Sequence, residues 1–226
     1  MENISKLLAL FFVLSFFLAA CGQTQQVTTD SGMQEKSQDS GSVSSESAKD
    51  VIADVISGRT KTFMVAYQVT GAGESNEMTM FMKDKKFRYD SGTGDQKGSI
   101  FFVDGKVYSC SYNPAMCVEF GDGEEPPSVT EEIEANLEGY NVLSKSDRTI
   151  AGTKAKCFGV TGTGASVEVC YSEKGVPLYT KSEADGQAVE MIATEYSTSV
   201  SDSIFELPAE PQDIEAMLAQ QQAQMQ

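Results

Sequence analysis

The chain has no histidine and no tryptophan, and only 17 Lys and Arg stand against 33 Asp and Glu. Each shortage excludes something. Without histidine there is no Ser-His-Asp or Cys-His nucleophile pair, no Cys₂His₂ zinc finger and no haem-ligating imidazole. Acid–base chemistry is left to Asp, Glu, Lys, Tyr or Cys, and the sequence marks out no pair of carboxylates for it. The glycine pairs Gly71-Ala72-Gly73 and Gly162-Thr163-Gly164 lack the strand–loop–helix context of a phosphate loop. The expectation is a protein that is not an enzyme and holds no cofactor. A net charge of −16 repels phosphate backbones, so nucleic acid is excluded as a partner.

Long hydrophobic runs are also scarce. The one clear case, Leu7–Ala20 (LLALFFVLSFFLAA), has Ser15 as its single polar residue and follows Lys6. It is shorter than the roughly 20 residues needed to cross a bilayer, and it has the length of a signal-peptide core. It runs into Leu18-Ala19-Ala20-Cys21, which resembles the lipobox of prokaryotic lipoproteins. The resemblance implies cleavage before Cys21 and lipidation of its sulfur, with palmitate among the acyl chains. The alternative is an ordinary secretory signal with Cys21 incidental. Residues 1–20 are therefore read as a lipoprotein signal peptide. The expected location is the cell membrane or outer membrane, on its extracytoplasmic side, with the protein anchored through Cys21 and not spanning.

Residues 21–49 are nearly all Gln, Ser, Thr, Gly and charge. Such a segment buries too little apolar surface to offset ordering, so it is read as a disordered tether, with a reach on the order of 30 Å as a coil. With Cys21 set aside, Cys110, Cys117, Cys157 and Cys170 remain, an even number in an exported chain, where disulfides persist. Hairpin register favours one pairing. A turn centred on Thr163-Gly164 puts Cys157 opposite Cys170, Phe158 opposite Val169 and Val160 opposite Val167, with apolar pairs on one face. Cys110 and Cys117 flank the turn starter Asn113-Pro114. Neither spacing contains Cys-x-x-Cys, which argues against a Cys₄ metal site or a redox pair.

Residues 50–208 are read as one β domain. A short helix opens it, with Ser47 as cap, Val51, Ile52, Val55 and Ile56 as stripe and Gly58 as stop. Alternating strands follow over Lys61–Thr70, Asn76–Lys83, Lys86–Asp90, Ile100–Asp104 and Val107–Tyr112. A capping box at Ser128 and Glu131 starts a second helix through Val129, Ile133 and Leu137, with Gly139 as its stop. Strands return at Asn141–Thr149, Lys154–Thr161, Ser166–Ser172, Val176–Ser182 and Ala188–Thr198. Residues 209–226 form a Gln-rich tail with a short helix over Asp213–Gln224. The fold class is mainly β (α+β): a long curved antiparallel sheet or half-barrel with two short covering helices, since so long a sheet must curl to protect its edges.

This order of elements, with Gly175-Val-Pro-Leu-Tyr179 and Asp202-x-x-Phe205-x-Leu207-Pro208, resembles the LolA/LolB-like superfamily of outer-membrane lipoprotein carriers. The resemblance implies a half-barrel that shelters acyl chains. On that basis the candidate lining is Phe63, Val65 and Tyr67 on one strand and Met78, Met80 and Met82 on the next. Two other readings of the methionines stand beside it, a plain core face and a Cu(I) site, although i, i+2 positions lie about 6.7 Å apart and converge poorly on an ion. The expected function is binding of a lipid or other hydrophobic ligand. The alternative is a structural or interaction module of the cell envelope, with a filled sheet and an envelope protein partner.

Two charge clusters complete the inventory. Lys83, Lys85, Lys86 and Arg88 read as an exposed edge guarded against aggregation, or as a face toward anionic headgroups. Glu119 to Glu138 holds eight carboxylates and no base, read as a solvated loop and helix start; calcium at Asp122, Glu124 and Glu125 lacks EF-hand spacing.

Overall fold

The structure, a computed structural model, describes residues 45–92, 94–123, 137–162, 166–184 and 187–214. The signal, Cys21 and most of the tether lie outside the described residues. So do most of the second expected helix, Glu124 and Glu125, and most of the tail.

One α-helix is described, α1 (Ser45–Ser57). Ala48, Ile52 and Ile56 recur every fourth residue and are fully or nearly fully buried, so the apolar stripe starts one turn earlier than Val51 suggested. Ser47 therefore lies inside the helix and does not cap it. The stripe packs on Val142, Phe158, Val160, Val169 and Tyr171. Each of its two isoleucines contributes on the order of 2 kcal/mol by burial. Where the second helix was expected to end, Leu137–Gly139 forms a single 3₁₀ turn.

Thirteen strands are described, all in one curved open sheet. They are β1 (Thr62–Gly71), β2 (Glu74–Lys83), β3 (Lys86–Ser91), β4 (Gly98–Val103), β5 (Lys106–Tyr112) and β6 (Ala115–Asp122), then β7 (Asn141–Ser144) and β8 (Arg148–Ile150). The rest are β9 (Thr153–Thr161), β10 (Ser166–Ser172), β11 (Pro177–Ala184), β12 (Gln187–Ser197) and β13 (Pro211–Asp213). Their order is β13-β6-β5-β4-β3-β2-β1-β12-β11-β10-β9-β7, with β8 pairing β9 beside β7. Two hairpin meanders thus run outward from a central antiparallel pair, β1 with β12.

Several expectations change. Strand β6 was not among the expected strands, and its end takes in Glu119 and Asp122 of the acidic segment read as loop: Met116, Val118 and Phe120 alternate along it, and the disulfide to Cys110 fixes its register. The sheet is not wholly antiparallel, because Pro211–Asp213 pairs parallel to β6 at the edge, an edge place that tolerates proline. The run Asn141–Thr149 is two strands, broken where Lys145 N donates to Cys157 O at 2.8 Å. Finally, Lys83–Arg88 guards no edge. Strand β3 is flanked by β2 and β4.

Both disulfides join directly opposed residues. Cys157 faces Cys170 with Cα atoms 4.0 Å apart, and Cys110 faces Cys117 at 4.1 Å. The register around the first pair sets Phe158 against Val169 and Val160 against Val167. Opening Cys157–Cys170 with alanines should cost about 3 kcal/mol, the loop-entropy value for a ring of this size. Urea unfolding measures it, and a loss below about 1 kcal/mol would contradict the expectation.

Candidate functional site

Cross-strand register places all six candidate lining residues on one face, in three adjacent rows. The first row is Phe63, Met82, Phe87, Phe102 and Val107. The second is Tyr196, Val65, Met80, Tyr89, Ile100, Ser109 and Val118. The third is Ala193, Tyr67, Met78, Ser91, Gly98, Ser111 and Met116. Rows lie about 6.7 Å apart and strands about 4.8 Å apart, so the face is three residues deep and several strands wide.

The rows are not equally open. Phe63, Val65, Tyr67 and Met82 are buried in a core with Val176, Leu178 and the Cys157–Cys170 bridge, and Met78 and Met80 lie half-buried against it. The Tyr67 hydroxyl donates to Pro177 O at 2.5 Å, and burial, with Tyr171 nearby, pushes its pKa well up. Farther along, the face opens. Ile100 is 42% exposed, Met116 40% and Phe120 56%; alternation puts Phe120 on the same side as Met116 and Val118. The sequence thus marked the closed end of this face and missed its open end, because Ala115–Asp122 was not read as a strand and Ile100 was not placed on this face. Its signal was present in the alternation Met116, Val118, Phe120. The half-buried Tyr89 joins the two ends, and burial raises its pKa against a hydrogen bond from Ser91.

The opposite face of the same strands is covered by chain. Residues 202–213 cross it: Phe205 is buried, Leu207 and Ala209 pack on Phe101 and the Cys110–Cys117 bridge, and β13 joins β6. Arg88 fastens the crossing. Its Nη1 donates to Ile204 O at 2.7 Å, and its Nε and Nη2 donate to the two Asp90 carboxylate oxygens at 2.7 and 2.8 Å. Nη2 also donates to Tyr112 OH at 2.8 Å, and Ser99 Oγ donates to Asp90 Oδ1 at 2.5 Å. The guanidinium lies over Phe101 and Phe81, 5.1 and 5.4 Å from their centroids. The expected basic run therefore splits, with Arg88 acting as an internal tie.

Its lysines stay at the surface. Lys83, Lys85 and Lys86, with Asp84, Phe102, Asp104, Gly105 and Asp202, line a depression of about 570 Å³ between the β2–β3 and β4–β5 turns. Asp202 pairs with Lys83 at 2.7 Å and with Lys86 at 3.8 Å. The Lys83 hydrogen bond, against a smaller effect of burial, holds the Asp202 carboxyl below its usual range. That tie is complete above the ordinary aspartate pKa and weakens as pH falls through the depressed one. No group of three or more His, Cys, Asp or Glu among the described residues could hold a metal ion, and Met78 and Met80 pack against the apolar core.

No family model matches the chain, and no protein of curated function does. Solved structures do. The domain shares its fold with MucB. At 14% identity the likeness covers 74% of this chain and 64% of MucB, with a TM-score of 0.54. The Pseudomonas aeruginosa MucA/MucB complex gives 13% identity, 71% and 60% coverage, and a TM-score of 0.53. LprF from Mycobacterium bovis is matched at 12% identity over 75% of this chain and all of that one, with a TM-score of 0.49. The chain spans about three-fifths of the MucB chains it matches. The expected long curved sheet is thus present, in the fold that MucB also has.

Proposed function

We propose that the chain is an extracytoplasmic lipoprotein, anchored at Cys21, whose MucB-like sheet binds a lipid or other hydrophobic ligand on the face of Met78, Met80, Ile100, Met116 and Phe120. It works by binding and not by catalysis. One observation carries the reading: three large apolar side chains on that face, Ile100, Met116 and Phe120, are 40% or more exposed, beside methionines able to adapt to a partner's shape. Where such side chains join into one exposed apolar patch, the patch marks a ligand or partner site.

The test is native mass spectrometry of the full chain carrying Cys21→Ser. A co-purified lipid adduct is expected, and Ile100→Glu with Phe120→Glu should lower its affinity at least 10-fold, since each buried side chain contributes about 1.5–3 kcal/mol. Repeated preparations without adduct would overturn the reading. A second reading, an envelope protein docking on the same face, draws on MucB having been solved in complex with MucA. It predicts the same loss for a protein partner with no lipid adduct.

A further inference from the structure

The open part of the apolar face is interrupted by hydroxyls, and one of them is unclaimed. In the second row Ser109 of β5 stands between Ile100 of β4 and Val118 of β6, directly opposed to both. Opposed residues of an antiparallel pair have Cβ atoms about 5 Å apart. Serine is shorter than isoleucine or valine, so Ser109 forms the floor of a trough along β5 with an apolar wall on each side. Ile100 is among the exposed apolar side chains of the face, and Ser109 is exposed beside it. The other serines of the three rows bond within the chain. Ser111 Oγ donates to Pro114 O at 2.8 Å, and Ser91 bonds the Tyr89 hydroxyl. Ser109 has no side-chain partner among the described residues, so its hydroxyl keeps its donor and both acceptor lone pairs for a bound molecule.

Resting on the reading of this face as a lipid site, we propose that its ligand is a long alkyl chain bearing a hydroxyl along its length, and that Ser109 selects it. A bare hydrocarbon lying in the trough takes water away from Ser109 and offers it no partner, which is unfavourable. A chain hydroxyl at the same place both donates and accepts, as the serine does. The apolar walls supply the affinity through the area that the chain covers. Ser109 then sets the preference between chains of equal length, because a site holding a polar group disfavours the analogue that cannot bond it.

Isothermal titration of the full chain carrying Cys21→Ser, with oleate and with its mid-chain hydroxylated counterpart ricinoleate, isolates that preference. The two probes share head group, chain length and double bond, and both are used below their micelle concentrations. Ricinoleate should bind about 5-fold more tightly. Adding Ser109→Ala should invert the order: oleate gains, since no polar group is left beneath it, and ricinoleate loses, since its hydroxyl is then buried alone. Ile100→Glu should weaken both ligands. An equal or reversed order in the parent, or a ricinoleate preference that survives Ser109→Ala, would overturn the role of Ser109 while leaving the hydrophobic site standing. Binding of neither ligand would overturn the proposal together with the lipid reading it rests on.

Discussion

Arg88→Met should cost about 3–5 kcal/mol, the usual penalty for stranding one partner of a buried ion pair. The Asp90 side chain is only 8% exposed, and without the guanidinium its carboxylate keeps Ser99 alone as a donor among the contacts described above. The loss extends past the pair, because Nη1 also holds Ile204 O and so secures the residues that cover this face. Arg88→Lys should recover little, since an ammonium cannot make the two-pronged contact or lie flat on Phe81 and Phe101. The double change Arg88→Met with Asp90→Leu should restore most of the stability, because Ser99 and Tyr112 still bond each other at 2.7 Å. Urea unfolding of the parent, Arg88→Met, Asp90→Leu and the double change forms a double-mutant cycle. A single-mutant loss under about 1 kcal/mol would mean that the network is wetter than its geometry shows.

Gly175→Ala should destabilise by a similar amount through a different cause. Gly175 has φ of +70°, and a Cβ there would stand 2.4 Å from Val55 O and 2.8 Å from Arg59 Cα. Strain in the left-handed region is about 1–2 kcal/mol, and forcing apart a packed contact adds about 1–3 kcal/mol. The turn cannot swing away easily. Ser172 Oγ accepts from Val176 N at 3.1 Å, Gly175 N donates to Ser172 O at 3.0 Å, and Thr60 N donates to Lys174 O at 2.9 Å. The end of α1 and this turn are therefore seated together by backbone alone. Gly73→Ala provides the control: its φ is +83° with nothing within 4 Å, so only the strain of about 1–2 kcal/mol remains. Equal losses at the two positions would show that the close approach to α1 does not matter.

Much of this architecture was legible because β structure writes its register in period two. Phe63, Val65 and Tyr67 alternate, Met78, Met80 and Met82 alternate, and both sets fall on one face. The Cys157–Cys170 pairing could be read for the same reason, since a one-residue slip would have turned Phe158 and Val160 to the wrong side. What was missed depended on partners distant in sequence. Nothing local says that Asp90 and Tyr112 accept from a buried guanidinium, so Arg88 read as one more surface cation. Strand β6 was hidden by its acids, although Glu119 is held by Lys106 across the hairpin. Openness was illegible too: Val65 and Ile100 lie in one row and look alike in sequence, yet one is 0% and the other 42% exposed.

The central pairing of β1 with β12 has a consequence for synthesis. The chain is delivered N-terminus first to the compartment where it folds, so the β1–β6 meander can zip by local turns as it emerges. Its inner edge then waits for β12, whose Tyr196 must find Val65 from 131 positions away. Over that interval β1 presents unpaired amides and carbonyls beside Phe63, Val65 and Tyr67, the arrangement most open to pairing with a neighbouring nascent chain. Distant contacts of this kind also slow folding. The strand most deeply enclosed in the finished sheet is thus the one exposed longest while the protein is being made.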